Sequence, residues 1–298
     1  MKRIVIIDAL NLFIRNYVVN PTMNAEGHPI GGCIGFIKSL QKICRELRPD
    51  EVVICWDGIG GSQKKKAKNK EYKAGRKPIR FNRRMIDLDP ALQDENRIFQ
   101  QIRLFEYLNE MPVLQLAVDG IEADDVISDK DFFQLCDDET IVYRPIQNEI
   151  VTKGVLTTKY GIHPNNFALA RAIVGDKSDN LPGIKGVGLK TVAKNFEFLS
   201  EAKQYDLDEL IDVCRDQEKP KVSHTNIMAG REIIADNYDM MQLYAPEISY
   251  INKKSIDYNI ENFEPDFNKL NMTKMLFKDG QGSLRLDELY NAFKNLRS

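Results

Sequence analysis

Five carboxylates fall within ten positions of the stretch IEADDVISDKDFFQL (121–135): Glu122, Asp124, Asp125, Asp129 and Asp131, set among Ile121, Val126, Ile127, Phe132 and Phe133. Carboxylates so crowded repel one another and resist leaving water unless strong positive charge sits between them. Asp8 and Asp57 each end a short apolar run, RIVIID and VVICWD, and Asp176 and Asp179 stand together in GDKSDN. Oxygen ligands at this density suit Mg²⁺ or Mn²⁺, and two such ions about 4 Å apart clamp the attacking and leaving oxygens of a phosphodiester. Any one of these acids alone is more often a helix cap or a turn residue. The nine together point to metal.

Rival chemistries find less support. His28, His163 and His224 lie far apart, with no Ser or Cys nucleophile beside them for acyl transfer. DKDFFQLCDDE lacks the glycine that an EF-hand needs at loop position 6. DALN after the first apolar run lacks the second acid of a phosphatase site.

Two further features suit a polyanionic substrate. Between Lys64 and Arg84 there are eleven Lys or Arg residues and one acid, Glu71, a local basic excess of the kind nucleic acid attracts. A solvated basic loop would look the same. Gly183, Gly186 and Gly188, in GDKSDNLPGIKGVGLKT, leave backbone N–H groups uncovered just before a helical stretch, where a phosphate can sit. A plain helix-turn-helix connection also uses such glycines.

These groups must be held by elements that the pattern predicts. RIVIID (3–8), VVICWD (52–57) and PVLQLAV (112–118) read as buried parallel strands, the first two delivering an acid at the carboxyl end. Ile34, Ile37, Leu40, Cys44 and Leu47 mark a helix over 32–47; Ile98, Ile102, Phe105 and Leu108 mark another. TIVYR (140–144) and EIVT (149–152) predict a hairpin, and 166–175 and 187–199 read as helices. Strand, helix, strand with acids at the strand tips is an α/β arrangement whose sites gather above those tips.

Composition sets the frame. The 298 residues, 43% hydrophobic, are enough for one large domain or two small ones. The five cysteines, Cys33, Cys44, Cys55, Cys136 and Cys214, include no C-x-x-C pair, so neither a disulfide framework nor a zinc site is expected. No apolar run reaches the length of a membrane span, and Lys2-Arg3 lead into a strand-like run rather than a signal sequence. A cytoplasmic, reducing setting is expected.

The motifs IVIIDALN, VVICWDG, EYKAGRK, IEADD, SDKDFFQL and GDKSDNLPGIKGVGLKTVAK resemble those of the 5′ nuclease or flap endonuclease family, in particular its bacteriophage ribonuclease H type, which is related to the 5′ nuclease domain of bacterial DNA polymerase I. The likeness spans residues 1–200 and extends to residue order within each block. It implies an α/β fold, a parallel-sheet, PIN-like nuclease core over 1–145 with a basic helical arch at 58–86. A mainly helical part over 146–298 would carry a helix-three-turn-helix motif at 176–196. It implies that Asp8, Asp57, Glu122, Asp124, Asp125, Asp129, Asp131, Asp176 and Asp179 bind two Mg²⁺ ions, with Mn²⁺ as a substitute. Tyr72, Lys73 and Arg76 would be arch residues, Lys73 and Arg76 with a catalytic role at the scissile phosphate. Gly183, Lys185, Gly186, Gly188 and Lys190 would grip duplex DNA, with K⁺ at that turn. The implied activity is 5′ to 3′ exonuclease and flap endonuclease action on DNA and RNA primers in replication. Partners would be flap DNA, RNA–DNA duplex, and replication proteins such as a single-stranded DNA-binding protein or sliding clamp. The resemblance also implies a monomer in the host cytoplasm if phage-encoded.

One spacing departs from the family. Its EADD block opens a helix that returns to another parallel strand carrying the DKD acids, whereas here Asp125 and Asp129 are four residues apart. A crossover needs at least about ten to twelve residues and a strand about five more. An internal deletion is therefore expected, leaving the sheet one strand and one covering helix short. The alternative function is a structure-specific DNA binder with impaired catalysis; a PIN-like ribonuclease is a further rival.

Overall fold

The computed structural model describes residues 2–58, 60, 63–72, 74, 89–118, 131–144, 147, 149–243 and 248–297. In chain order its elements are β1 (Ile4–Asp8), α1 (Ala9–Val19), α2 (Gly31–Leu47), β2 (Glu51–Asp57), α3 (Gln63–Lys68), α4 (Pro90–Asn109) and β3 (Leu114–Val118). A 3-10 helix (Asp131–Leu135), β4 (Val142–Arg144), β5 (Glu149–Val151), α5 (Lys153–Tyr160) and α6 (Phe167–Val174) follow. Then come α7 (Leu189–Asn195), α8 (Leu207–Arg215), α9 (Val222–Ala229), α10 (Arg231–Met241), α11 (Tyr250–Glu261), α12 (Lys269–Lys278) and α13 (Leu286–Ala292).

The chain forms two compact units, one of Met1–Gly61, Pro78–Ile127 and Ile248–Ser298, the other of Ser62–Lys77 and Ser128–Glu247. The last fifty residues fold with the sheet because Asp279 and Gln281 are fastened there, and Asp131–Leu135 folds with the helices because Phe133 is buried among them.

In the first unit β1, β2 and β3 form a parallel sheet with β2 in the middle. Parallel strands need covered faces, and Val52, Ile54 and Cys55 of β2 are buried accordingly. α1 and α2 pack closely because α2 brings Gly32 and Gly35 against Phe13 and Asn16, where a Cβ would come within 2.8 Å and 2.6 Å of side-chain atoms. Gln100 of α4, fully buried, caps α2 by accepting from Gly32 N at 2.8 Å.

One sequence expectation is modified. α4 is a helix as expected, yet it buries Gln93, Gln100, Leu104, Tyr107 and Leu108 and leaves Ile98, Ile102 and Phe105 exposed. The polar anchors Gln100, Arg103 and Tyr107 turn that line inward by bonding α2 and Asp279. Asp131 begins a 3-10 helix, and Asp129 and Lys130 before it lie outside the described residues. Among the described residues β1 has a strand on one side only, and Ile4 and Ile6 on its edge are 51% and 52% exposed, the surface a missing strand and helix would leave.

The second unit is built on Phe133, Phe167, Ile173, Val192, Phe196, Leu210 and Ile227, all buried. Phe133 meets Phe167 edge-on at 5.4 Å, which seats the 3-10 helix on α6. β4 and β5 pair antiparallel, as the hairpin pattern predicts.

All five cysteines are free and buried. Burial pushes the thiols of Cys44 and Cys55 up to about 12 and those of Cys136 and Cys214 to about 11. At pH 8 the native chain is therefore expected to react with iodoacetamide no faster than it unfolds, as mass spectrometry of timed aliquots would show. Rapid labelling of any one cysteine would contradict its placement. Among the described residues no helix is long and apolar enough to cross a membrane.

Candidate metal and nucleic-acid sites

Asp8 and Asp57 come to adjacent strand tips because each closes an apolar run in a parallel pair. Asp8 lies opposite Cys55 in register, and Asp57 follows two residues later on β2, so both carboxylates leave the same face of the sheet. The charge of Asp8 adds to burial in raising the Cys55 thiol. Asp8 also starts α1, its Oδ1 accepting from Asn11 N at 2.8 Å. A capping bond takes one of about four acceptor positions on a carboxylate. Two carboxylates converging on one face at strand tips fit a hard, oxygen-seeking cation.

Glu122, Asp124, Asp125 and Asp129 lie outside the described residues, as do Lys73 and Arg76, and only the backbone of Asp131 is described. Among the described residues no three His, Cys, Asp or Glu side chains group closely enough to hold a metal.

Asp176, in the second unit, is placed differently. Its Oδ2 accepts from Arg171 at 2.5 Å and its Oδ1 from Ser178 N at 2.7 Å and Ser178 Oγ at 2.5 Å. Burial would raise this carboxyl, but the bonds from Ser178 and Arg171 outweigh it and hold it below the usual aspartate value. Three donors on about four acceptor positions leave little room for a metal, and Asp176 acts here as the brace of a loop. Its backbone pairs in both directions with Leu181, at 3.0 Å and 2.8 Å. Arg171 is a buried guanidinium in the apolar helix FALARAIV. That anomaly is legible in the sequence, and its partner five residues on is not.

The three glycines of the loop have three different jobs. A Cβ at Gly183 would lie 1.8 Å from Val174 O, so this glycine permits a backbone crossing. Gly186 has φ +78°, the left-handed region, with open space around it. Gly188 caps α7 without a side-chain bond and is also open. Ile184 and Val187 are buried between them, so Lys185, Gly186, Gly188 and Lys190 form the exposed side of the loop. The loop is stapled from below: Asn237 donates to Ala172 O and Pro182 O at 2.9 Å and 2.8 Å, and Asn226 donates to Lys185 O at 3.1 Å. A rigid, exposed, basic turn of this kind suits phosphate contacts. Gly188→Ala is thus expected to leave the melting temperature within about 1–2 °C while weakening duplex binding several-fold. Gly183→Ala is expected to destabilise the second unit by about 2–4 kcal/mol. Thermal melting and a duplex titration of both variants would check this.

Tyr72, expected on the arch, is only 2% exposed and packs against Leu181 and Met241. The sequence offered no sign of this, since EYKAGRK is polar around it.

A family model described as 5′-3′ exonuclease, N-terminal resolvase-like domain, matches residues 3–128. The 5′-3′ exonuclease of Buchnera aphidicola subsp. Schizaphis graminum is 31% identical over 214 residues, which span 64% of this chain and 68% of that protein. The chain belongs to the 5′-3′ exonuclease family. This family member also aligns over 91% of its length with 90% of the Aquifex aeolicus 5′-3′ exonuclease, at 26% identity. Thermostable DNA polymerase I of Thermus aquaticus is 31% identical over 236 residues, but these are only 26% of that protein. The fold is similar to that of the T5 5′-exonuclease solved with bound zinc ions, with a TM-score of 0.62 at 15% identity over 99% of this chain and 98% of that one. It is also similar to the catalytic core of Rad2 in complex with a DNA substrate, with a TM-score of 0.53 at 13% identity over 98% and 92% of the two chains.

Proposed function

We propose that this family member is a Mg²⁺-dependent nuclease that removes 5′ ends and flaps from DNA and RNA primers. The observation that carries the reading is the placement of Asp8 and Asp57 on one sheet face at adjacent parallel strand tips. Glu122, Asp124 and Asp125 follow β3 in sequence and are proposed to complete that acid set, with Asp129, Asp131 and Asp179 as further ligands. Asp176 is proposed to serve chiefly as the loop brace. Divalent ions held by such oxygen donors supply an acidic water and neutralise developing phosphate charge. The solved T5 neighbour with divalent ions supports this reading.

The chain's own residues do the rest. Lys185 and Lys190, with the backbone N–H groups of Gly186 and Gly188, are proposed to grip duplex phosphates, and K⁺ is proposed at that turn. Lys73 and Arg76 are proposed to steer the 5′ end and offset its charge. Phosphate contacts carry no base information, so branched structure and not sequence should be selected. A cytoplasmic monomer working with a single-stranded DNA-binding protein or a sliding clamp completes the proposal. The exposed edge of β1 favours one second reading, a structure-specific binder with weakened catalysis, since a sheet short of a strand would hold its acids less firmly.

The test is cleavage of a 5′-labelled flap by the full chain in Mg²⁺, with binding of the same DNA measured in Ca²⁺. Cleavage at the flap junction is the expected result. Binding without cleavage would select the second reading, and preferential cutting of single-stranded RNA would replace both with a PIN-like ribonuclease.

A further inference from the structure

We propose that Asn180 is a positioning residue that latches the base of the basic segment onto the glycine loop, so that the part gripping duplex and the part receiving the 5′ end act as one body. This deepens the nuclease reading and rests on it. All the groups concerned belong to the second unit.

Asn180 has φ +59°, a left-handed conformation that asparagine tolerates better than most residues. In that conformation its Nδ2 donates to Glu71 O at 3.0 Å. The carbonyl of Glu71 also accepts from Ala74 N at 3.0 Å, so both of its lone-pair positions are used. The turn around it is closed locally by Glu71 N on Asn69 Oδ1 and Tyr72 N on Asn69 O, each at 3.0 Å.

The neighbours of both partners are fixed. Leu181, next to Asn180, and Tyr72, next to Glu71, bury against each other and Met241. Met241 is itself fastened by Gln134, which donates to its carbonyl at 3.0 Å and accepts from Leu243 N at 2.8 Å. Leu181 is paired to Asp176, which Arg171 holds. A continuous run of bonded and buried groups therefore joins α3, with its lysines, to the loop that carries Lys185. Spending a tyrosine on burial in an otherwise basic, exposed segment has a purpose if the segment must be seated.

Asn180→Gly tests the latch, because glycine keeps the left-handed backbone and removes only the donor. Asn180→Asp keeps the shape and sets a carboxylate oxygen against the Glu71 carbonyl. In the DNA-free chain, trypsin should cut at Lys65, Lys66, Lys68 and Lys70 roughly 2–10-fold faster in Asn180→Gly than in wild type, and at least as fast in Asn180→Asp, since cleavage follows the open population. With a plain duplex hairpin in Ca²⁺, Kd should stay within about 2-fold. On a 5′ flap, kcat should fall roughly 2–10-fold with KM unchanged, because the 5′ end is less often in place. Unchanged trypsin rates in both variants would overturn the latch, as would a weakened hairpin Kd with unchanged kcat. If wild type itself fails to cut the flap, the nuclease reading falls, while the DNA-free trypsin rates still decide whether the latch exists.

Discussion

Asp8→Asn is expected to reduce flap cleavage in Mg²⁺ by at least about 10²-fold while leaving the fold and duplex binding in place. Asparagine is as good an N-cap as aspartate, so the bond to Asn11 N survives and α1 keeps its start. What is lost is the negative charge beside Asp57 at the strand tips. The check is a paired measurement, single-turnover cleavage in Mg²⁺ and a binding titration in Ca²⁺, with a melting curve as control. Retained cleavage would show that the catalytic ion is held elsewhere. A large fall in melting temperature would show that the charge of Asp8 serves the fold.

Asp279→Ala is expected to destabilise the first unit by about 2–4 kcal/mol, which lowers its melting temperature by roughly 4–16 °C. Asp279 accepts from Arg103 Nε and Nη2 at 2.7 Å and 3.0 Å and from Tyr107 Oη at 2.6 Å. Removing the carboxylate strands the buried Tyr107 phenol and leaves the partly buried Arg103 guanidinium with Glu106 as its remaining carboxylate partner, at 2.6 Å. Burial pushes the Tyr107 hydroxyl upward and the Asp279 bond adds to it, so the phenol stays a donor at every ordinary pH. Tyr107→Phe removes one donor and leaves the bidentate pair, and should cost only about 1 kcal/mol. Equal melting temperatures for Asp279→Ala and wild type would mean that the C-terminal segment is not held by this cluster.

The outcome for Asp176 shows where local sequence reading ends. The pair Asp176 and Asp179 has the same appearance in the sequence as any two acids near a metal. Yet Ser178, two residues on, and Arg171, five residues back, consume most of the Asp176 acceptor capacity. The glycines behave similarly. Their type announces a turn, but only the approach of Val174 O distinguishes Gly183, a packing residue, from Gly188, which has open space before it.

Period and end-residue chemistry alone determined the three parallel strands, α2, the hairpin and the delivery of Asp8 and Asp57 to strand ends. An apolar run of five or six residues closed by an acid has few other stable uses. The family motifs were legible too, because they are local in sequence. The tertiary structure decided what depends on partners distant in the chain. It turned α4 so that Gln100, Arg103 and Tyr107 face inward, tied residue 279 to residue 103, buried Tyr72 against Leu181, and set the Asn180 bond to Glu71. A buried polar group must find its complement wherever the fold brings one, and no pattern of spacing along a single segment records where that will be.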